Sequence, residues 1–177
     1  MSNEWYTPSK YIEAAREVMG SIDLDPASCE LANQTVRATR YYTQEDNGFI
    51  HPWYGNVWCN PPYGKLGGIS NKELWSKKIV DSYEDGYVEQ AILLVTASTE
   101  SMWFQPLWNY PICFSLRSDR VRFFSPEGSM CEHPHGTAFV YFGDNEQRFT
   151  KVFSQFGRIA KAIDTPAVKP RQLELVS

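Results

Sequence analysis

Two consecutive prolines closing an apolar run, in Val57-Trp58-Cys59-Asn60-Pro61-Pro62-Tyr63-Gly64-Lys65, constrain this chain more than any other stretch. Val57, Trp58 and Cys59 read as the end of a buried strand. Neither proline can donate to a sheet ladder, so the backbone must leave the sheet at Asn60. Asn60 and Pro61 each precede a proline, which biases both to extended dihedrals and away from a helical turn. The expected product is a stiff shelf at a strand's carboxyl end, presenting one amide side chain, the Pro61 carbonyl and the Tyr63 ring.

Those groups suit a planar exocyclic amine such as that of adenine. Its nitrogen is a poor nucleophile because the lone pair is delocalised into the ring. Two acceptors on its hydrogens, the Asn60 side-chain oxygen and the Pro61 carbonyl, would draw it towards a tetrahedral geometry and offset the positive charge that develops. Tyr63 would stack on the base, a contact worth about 1–3 kcal/mol that forms only once the base has left a duplex. Without further support, the same residues read as a proline-ended strand with a packing tyrosine.

The rest of the chain alternates helical and strand patterns. Thr7 is a candidate N-cap with Pro8 at the first helical position, and Tyr11, Ile12, Ala15, Val18 and Met19 recur at helical spacing until Gly20. Ile22 and Leu24 mark a short strand, which Asp25-Pro26 ends in a turn where Ser28 can cap a following helix. Residues 40–43 read as a second strand and residues 45–49 as its turn. Residues 64–71 form a glycine-rich loop carrying Lys65. Residues 72–83 form a helix burying Leu74, Trp75, Ile79 and Tyr83, with Lys72, Lys77 and Lys78 on a solvated face. Glu89-Gln90-Ala91-Ile92-Leu93-Leu94-Val95 ends in the apolar run of a central parallel strand.

Further on, residues 111–124 read as strand, basic turn and strand. Arg117, Arg120 and Arg122 there are the best local candidates for phosphate contact, solvated strand-end arginines being the alternative. Cys131, His133 and His135 lie in a loop. Their spacing fits no closed four-ligand site and no second cluster completes it, so no metal is expected. Residues 137–142 form a final strand and residues 149–163 a helix. The expected organisation is one domain over residues 1–163 with a loose tail over 164–177.

Asn60-Pro61-Pro62-Tyr63 resembles the catalytic motif of amino-group methyltransferases, and the surrounding chain is similar to the small phage-type DNA N6-adenine methyltransferases. The resemblance covers most of residues 4–142. It implies S-adenosylmethionine as methyl donor, DNA as partner and Asn60, Pro61, Pro62 and Tyr63 as the catalytic group. Tyr6-Thr7-Pro8 resembles the segment that lies against the methyl donor just before the first strand. Asp25-Pro26-Ala27-Ser28 matches the family's Asp-Pro donor motif while lacking the fuller glycine-rich loop.

On this reading Asp25 faces the positively charged methionine end, and Asp23 is a weaker alternative. Asp46 or Asn47 meets the donor's adenine edge with Phe49 stacking beside it, and Glu45 or Asp46 holds its ribose. Asn60 is counted with the donor site as well as with the chemistry. Tyr63, Lys65, Arg117, Arg120 and Arg122 touch DNA. The implied fold is α/β, a Rossmann-like class I methyltransferase sheet, mostly parallel, with an antiparallel strand near the C-terminus. The same shelf could serve an RNA base or a protein glutamine, and a family member can persist as an inactive DNA-binding regulator. The intact Asn-Pro-Pro-Tyr argues against the last.

Composition sets outer bounds. The chain has 177 residues, 42% hydrophobic and 21% charged, enough for one sizeable core. No apolar run approaches 18 residues and no signal peptide is visible, so a soluble cytoplasmic protein without membrane contact is expected. Four separated cysteines suggest reduced thiols. A net charge of −4 is unlike that of a strong nonspecific nucleic-acid binder; it leaves room for a local basic groove and predicts weak, salt-sensitive DNA binding.

Overall fold

The computed structural model describes residues 5–125, 128–132 and 135–163. Its core is a seven-stranded sheet. β1 (Leu24–Asp25), β2 (Arg40–Tyr41), β3 (Gly55–Cys59) and β6 (Val88–Thr96) form a parallel block in the order β2-β1-β3-β6. Beyond β6 the sheet turns antiparallel through β10 (Thr137–Phe142), β7 (Ile112–Ser115) and β11 (Gly157–Ala160).

Both faces of the sheet are covered, which explains the continuous apolar runs. Trp58, Ile92, Leu94, Phe139 and Tyr141 pack with α1 (Ser9–Met19), α2 (Glu30–Val36) and α4 (Glu146–Phe153). The alternate residues Val57, Cys59, Leu93, Val95 and Val140 face α3 (Asn71–Glu84) and a 3₁₀ segment, Met102–Asn109. This period of two on each strand puts a buried side chain into both layers. The fold is thus mixed α/β with a large, mostly parallel sheet, as the alternating elements imply, and the antiparallel strand expected near the C-terminus is β10.

Several local expectations are corrected. α1 starts at Ser9, so Pro8 occupies the cap position and Thr7 makes no capping bond; the Thr7 hydroxyl is engaged elsewhere, with Asn60. α2 is capped by the Cys29 thiol, which accepts from Ala32 N at 3.4 Å, and not by Ser28. Residues 64–71 are a hairpin and not an open loop: β4 (Lys65–Leu66) pairs with β5 (Ile69–Ser70) across Gly67-Gly68.

The strands of residues 111–124 do not pair with each other. β7 joins the main sheet, whereas β8 (Arg122–Phe124) pairs with β9 (Met130–Glu132). The helix expected to reach residue 163 stops at Phe153, and β11 follows. Gly157 permits that, because a Cβ there would meet the Phe114 carbonyl oxygen at 2.0 Å. Of the three lysines assigned to a solvated face, Lys77 is exposed, but Lys78 is half-buried and donates to the Phe49 carbonyl at 2.6 Å. The tail, residues 164–177, lies outside the described residues, as does His133. Among the described residues no helix is long and apolar enough to cross a membrane, and no group of three His, Cys, Asp or Glu could share a metal ion. Among the described residues no disulfide links the four cysteines.

Candidate active site

The carboxyl ends of the parallel strands open onto two adjoining cavities that meet at the Asn60 shelf. The first, about 490 Å³, lies over β1, β2 and β3 and is lined by Tyr6, Thr7, Asp25, Pro26, Ala27 and Ser28, among others. The second, about 480 Å³, lies over β3, β6 and β10 and is bounded by Leu94, Val95, Thr96, Phe123, His135 and Thr137. Asn60, Pro61, Pro62, Tyr63 and Lys65 line both. Each volume falls in the range of small-molecule sites.

In the first cavity, β1 delivers Asp25 at its carboxyl end. The side chain is 3% exposed, and Ala27 N donates to its Oδ1 at 3.1 Å. Burial raises its pKa from 3.8 to about 7, partly offset by the Ala27 amide and by the facing Ser28 hydroxyl. That hydroxyl is itself buried without a partner of good hydrogen-bond geometry, although Ser28 N donates to the Tyr42 carbonyl at 2.9 Å. Buried polar atoms are normally satisfied, so Asp25 and Ser28 together mark a place where a polar ligand group is missing from the count. Asp23 lies away from the cavity: its carboxylate accepts from Ser21 Oγ and Asn56 N.

The turn after β2 forms the opposite wall. Gly48 packs against the Asp25 turn so closely that a Cβ would meet the Pro26 carbonyl oxygen at 2.0 Å. Gln44, Asn47 and Phe49 line the cavity. Phe49 is held by Trp75, at 6.0 Å between centroids, and by the Lys78 ammonium 5.2 Å from its ring. Asp46 does not line the cavity. Its carboxylate accepts from Thr43 N at 2.9 Å and from Thr43 Oγ1 at 2.7 Å, and those bonds hold its pKa below the usual carboxylate value. The exposed Glu45 is also absent from the lining, as is Pro8.

The N-terminal segment is fixed over the cavity by backbone pairing with β8. Tyr6 N donates to the Phe124 carbonyl at 2.7 Å, and Phe124 N to the Tyr6 carbonyl at 3.0 Å. That pairing places Thr7 beside the shelf, where its Oγ1 accepts from Asn60 Nδ2 at 3.4 Å. With Nδ2 so engaged, Asn60 Oδ1 is the end of the amide left to accept a hydrogen bond from a ligand.

Tyr63 is 46% exposed, and partial burial and the nearby Cys131 raise its pKa. Lys65 lies on the hairpin next to both cavities. Arg117 and Arg122 are exposed near the β8–β9 hairpin, and Arg120 is half-buried. Cys59, beneath the shelf, is fully buried, and that burial pushes its thiol well above the usual value; it is a packing residue.

Of the residues singled out from the sequence, the Asn60–Tyr63 shelf lines both cavities and the Asp25–Ser28 turn lines the first. The sequence reading did not single out Trp5, Cys29 and Gln44 in the first cavity, or Phe123, His135, Thr137 and Lys72 in the second. His135 had drawn notice only for its metal-like spacing, and Lys72 only as part of a helix face.

The family model described as DNA N-6-adenine-methyltransferase (Dam) matches residues 1–142, from the Tyr6 segment through β10. No curated protein and no solved structure matches the chain. With four-fifths of its length inside that match, the chain belongs to the Dam family of DNA N6-adenine methyltransferases.

Proposed function

We propose that this enzyme methylates adenine in DNA with the methyl donor in the first cavity, the extruded base in the second and the Asn60-Pro61-Pro62-Tyr63 shelf between them. The observation that carries this reading is the shared shelf: one rigid tetrapeptide lines both cavities. A group in one can thereby be held against a group in the other. The order β2-β1-β3-β6, with the cavity at the carboxyl ends and antiparallel β10 beyond, supports a Rossmann-like class I methyltransferase fold.

The family implies S-adenosylmethionine, and the residues of the first cavity fit it. Buried Asp25 suits its cationic methionine end, and the unpartnered Ser28 hydroxyl suits a second polar group there. Tyr6, Thr7, Pro26 and Ala27 complete that end of the cavity, while Pro8 acts by starting α1. Asn47 and Gln44, in place of Asp46, are positioned to meet a purine edge beside Phe49. When bound, the donor supplies an electrophilic methyl group on sulfur.

The chain's own residues do the rest. Asn60 Oδ1 and the Pro61 carbonyl accept the two hydrogens of the adenine amine, which localises the lone pair on nitrogen. Pro62 keeps the shelf rigid, so the acceptors are preset and little reorganisation accompanies reaction. Thr7 holds the Asn60 amide with its oxygen available. Tyr63 stacks on the base. With the donor bound, these residues would hold the amine nitrogen facing its methyl group and let the extra amine proton pass to water. Lys65, Arg117, Arg120 and Arg122 supply phosphate contacts around the opening.

The test is transfer of labelled methyl from S-adenosylmethionine to unmethylated duplex DNA, followed by nucleoside chromatography. Label is expected in N6-methyladenine. Asn60→Ala is expected to lower turnover at least 100-fold with donor affinity changed less than threefold. Turnover within tenfold of wild type would overturn the role of Asn60.

A further inference from the structure

The β4–β5 hairpin borders the site through Lys65 and Leu66, which line the first cavity, and it also exposes apolar side chains. Leu66 and Ile69 are a directly opposed cross-strand pair, 53% and 45% exposed. The two residues between them, Gly67 and Gly68, have φ of 58° and 87°, the left-handed dihedrals of a tight two-residue hairpin turn. The base of the hairpin is tied to the shelf. Asn71 N donates to the Gly64 carbonyl at 3.0 Å, and Asn71 Nδ2 donates to the Tyr63 carbonyl at 3.4 Å. The tip is therefore held in a fixed relation to Tyr63 and the second cavity.

Alternative roles for the pair are weaker. Leu66 and Ile69 belong to neither apolar core, so they do not hold the fold together; Leu66 also borders the first cavity, whereas Ile69 lines neither, and a loss of donor binding through Leu66 would be equal on any DNA. An exposed edge carrying two large apolar residues invites aggregation unless something covers it in use. The family's substrate is DNA, and in a duplex the target amine cannot reach Asn60 while the base remains stacked. Extruding the base leaves an apolar gap in the stack. Proteins that distort DNA fill such gaps with aliphatic side chains. Lys65 at the root of the hairpin and Lys72 beside the second cavity supply positive charge for the flanking phosphates.

We infer that the Leu66–Ile69 pair is a wedge that enters the base stack at the position vacated by the target adenine and holds the base in the second cavity. This inference rests on the assignment of that cavity to the extruded base. The occupant it commits to is the duplex itself, next to the flipped nucleotide.

The experiment compares wild-type protein, Ile69→Ser, Leu66→Ser/Ile69→Ser and Asn60→Ala on two duplexes carrying an adenine that the wild type methylates. In one the adenine is paired; in the other it faces an abasic site, so little energy is needed to unstack it. The double serine variant is expected to lose at least tenfold in kcat/KM on the paired duplex and less than threefold on the abasic one, with Ile69→Ser intermediate. Ile69→Leu is expected to stay within twofold of wild type on both. 2-Aminopurine at the target position is expected to brighten with wild type and not with the double variant.

Equal losses on both duplexes in a variant that melts at the wild-type temperature, or no loss on either, would overturn the wedge. Should the double variant melt early, Ile69→Ser alone decides by the same ratio. The outcome for Asn60→Ala separates the two claims. If it abolishes transfer to both duplexes while the serine variants show no selective loss, the wedge fails and the site stands. If it leaves transfer intact, the site assignment fails first.

Discussion

The Asp25 carboxyl ionises near pH 7 in the folded chain and near 3.8 in the unfolded one. Between those values the folded protein keeps a proton that the unfolded chain has released, so stability from this group falls as pH rises and is lowest above 7. The difference amounts to about 4 kcal/mol. A cationic ligand beside Asp25 favours the ionised form and offsets that loss, so affinity for the donor is expected to be highest above pH 7 and to fall as pH drops below it, by up to about tenfold per pH unit. Titration calorimetry from pH 5.5 to 8, in buffers of different ionisation enthalpy, would show proton release on binding near pH 6. Asp25→Asn keeps an acceptor for Ala27 N and removes the charge. It is expected to melt at higher temperature than wild type at pH 8 while losing both donor affinity and its pH dependence. A variant that kept both would show that Asp25 does not meet the cation.

Among the elements, legibility followed how local the determining physics was. Proline acts on its own backbone and on the residue before it, so the end of β3 could be read directly from Asn60-Pro61-Pro62. The Asp25 turn was legible for the same reason. β11 was not: Val152, Phe153, Phe156 and Ile159 satisfy helical spacing, and only the unpaired edge of β7, over forty positions earlier in the chain, makes a strand there preferable. The β4–β5 hairpin was missed although Gly67-Gly68 between Leu66 and Ile69 is a turn signal, because two-residue strands leave almost no alternation to detect. The second cavity is assembled from Phe123, His135 and Thr137 around the shelf, and some sixty positions of sequence separate those three from Asn60–Tyr63.

A prediction belongs to this scale. Gly157→Ala places a Cβ against the Phe114 carbonyl and is expected to destabilise the protein by about 1–3 kcal/mol. Because Gly157 lies on the edge strand away from both cavities, donor affinity measured below the melting transition is expected to be unchanged. Thermal denaturation with and without donor checks both statements.

For the whole molecule, a net charge of −4 must be reconciled with a polyanionic substrate. Binding then depends on the few cations near the second cavity acting over short range, and salt weakens it steeply. Lys72 is one of them, lying at the cavity with its ammonium 5.8 Å from the Trp103 ring. Lys72→Ala is expected to weaken DNA binding to a similar degree for any sequence and to reduce the slope of log K against log salt by about 1. Fluorescence anisotropy titrations at four salt concentrations would measure it, and an unchanged slope would remove Lys72 from the contact surface.

The pairing of Tyr6 with Phe124 ties a wall of one cavity to a wall of the other. Tyr6 lines the first cavity, and Phe123, next to Phe124 on β8, lines the second. A ligand that firms up this clasp from one side has already met part of the ordering cost for a ligand on the other. Any resulting cooperativity must be mutual: whatever factor the donor adds to DNA affinity, DNA adds to donor affinity. The enzyme can thereby favour the loaded complex over either half-filled state without a separate regulatory domain.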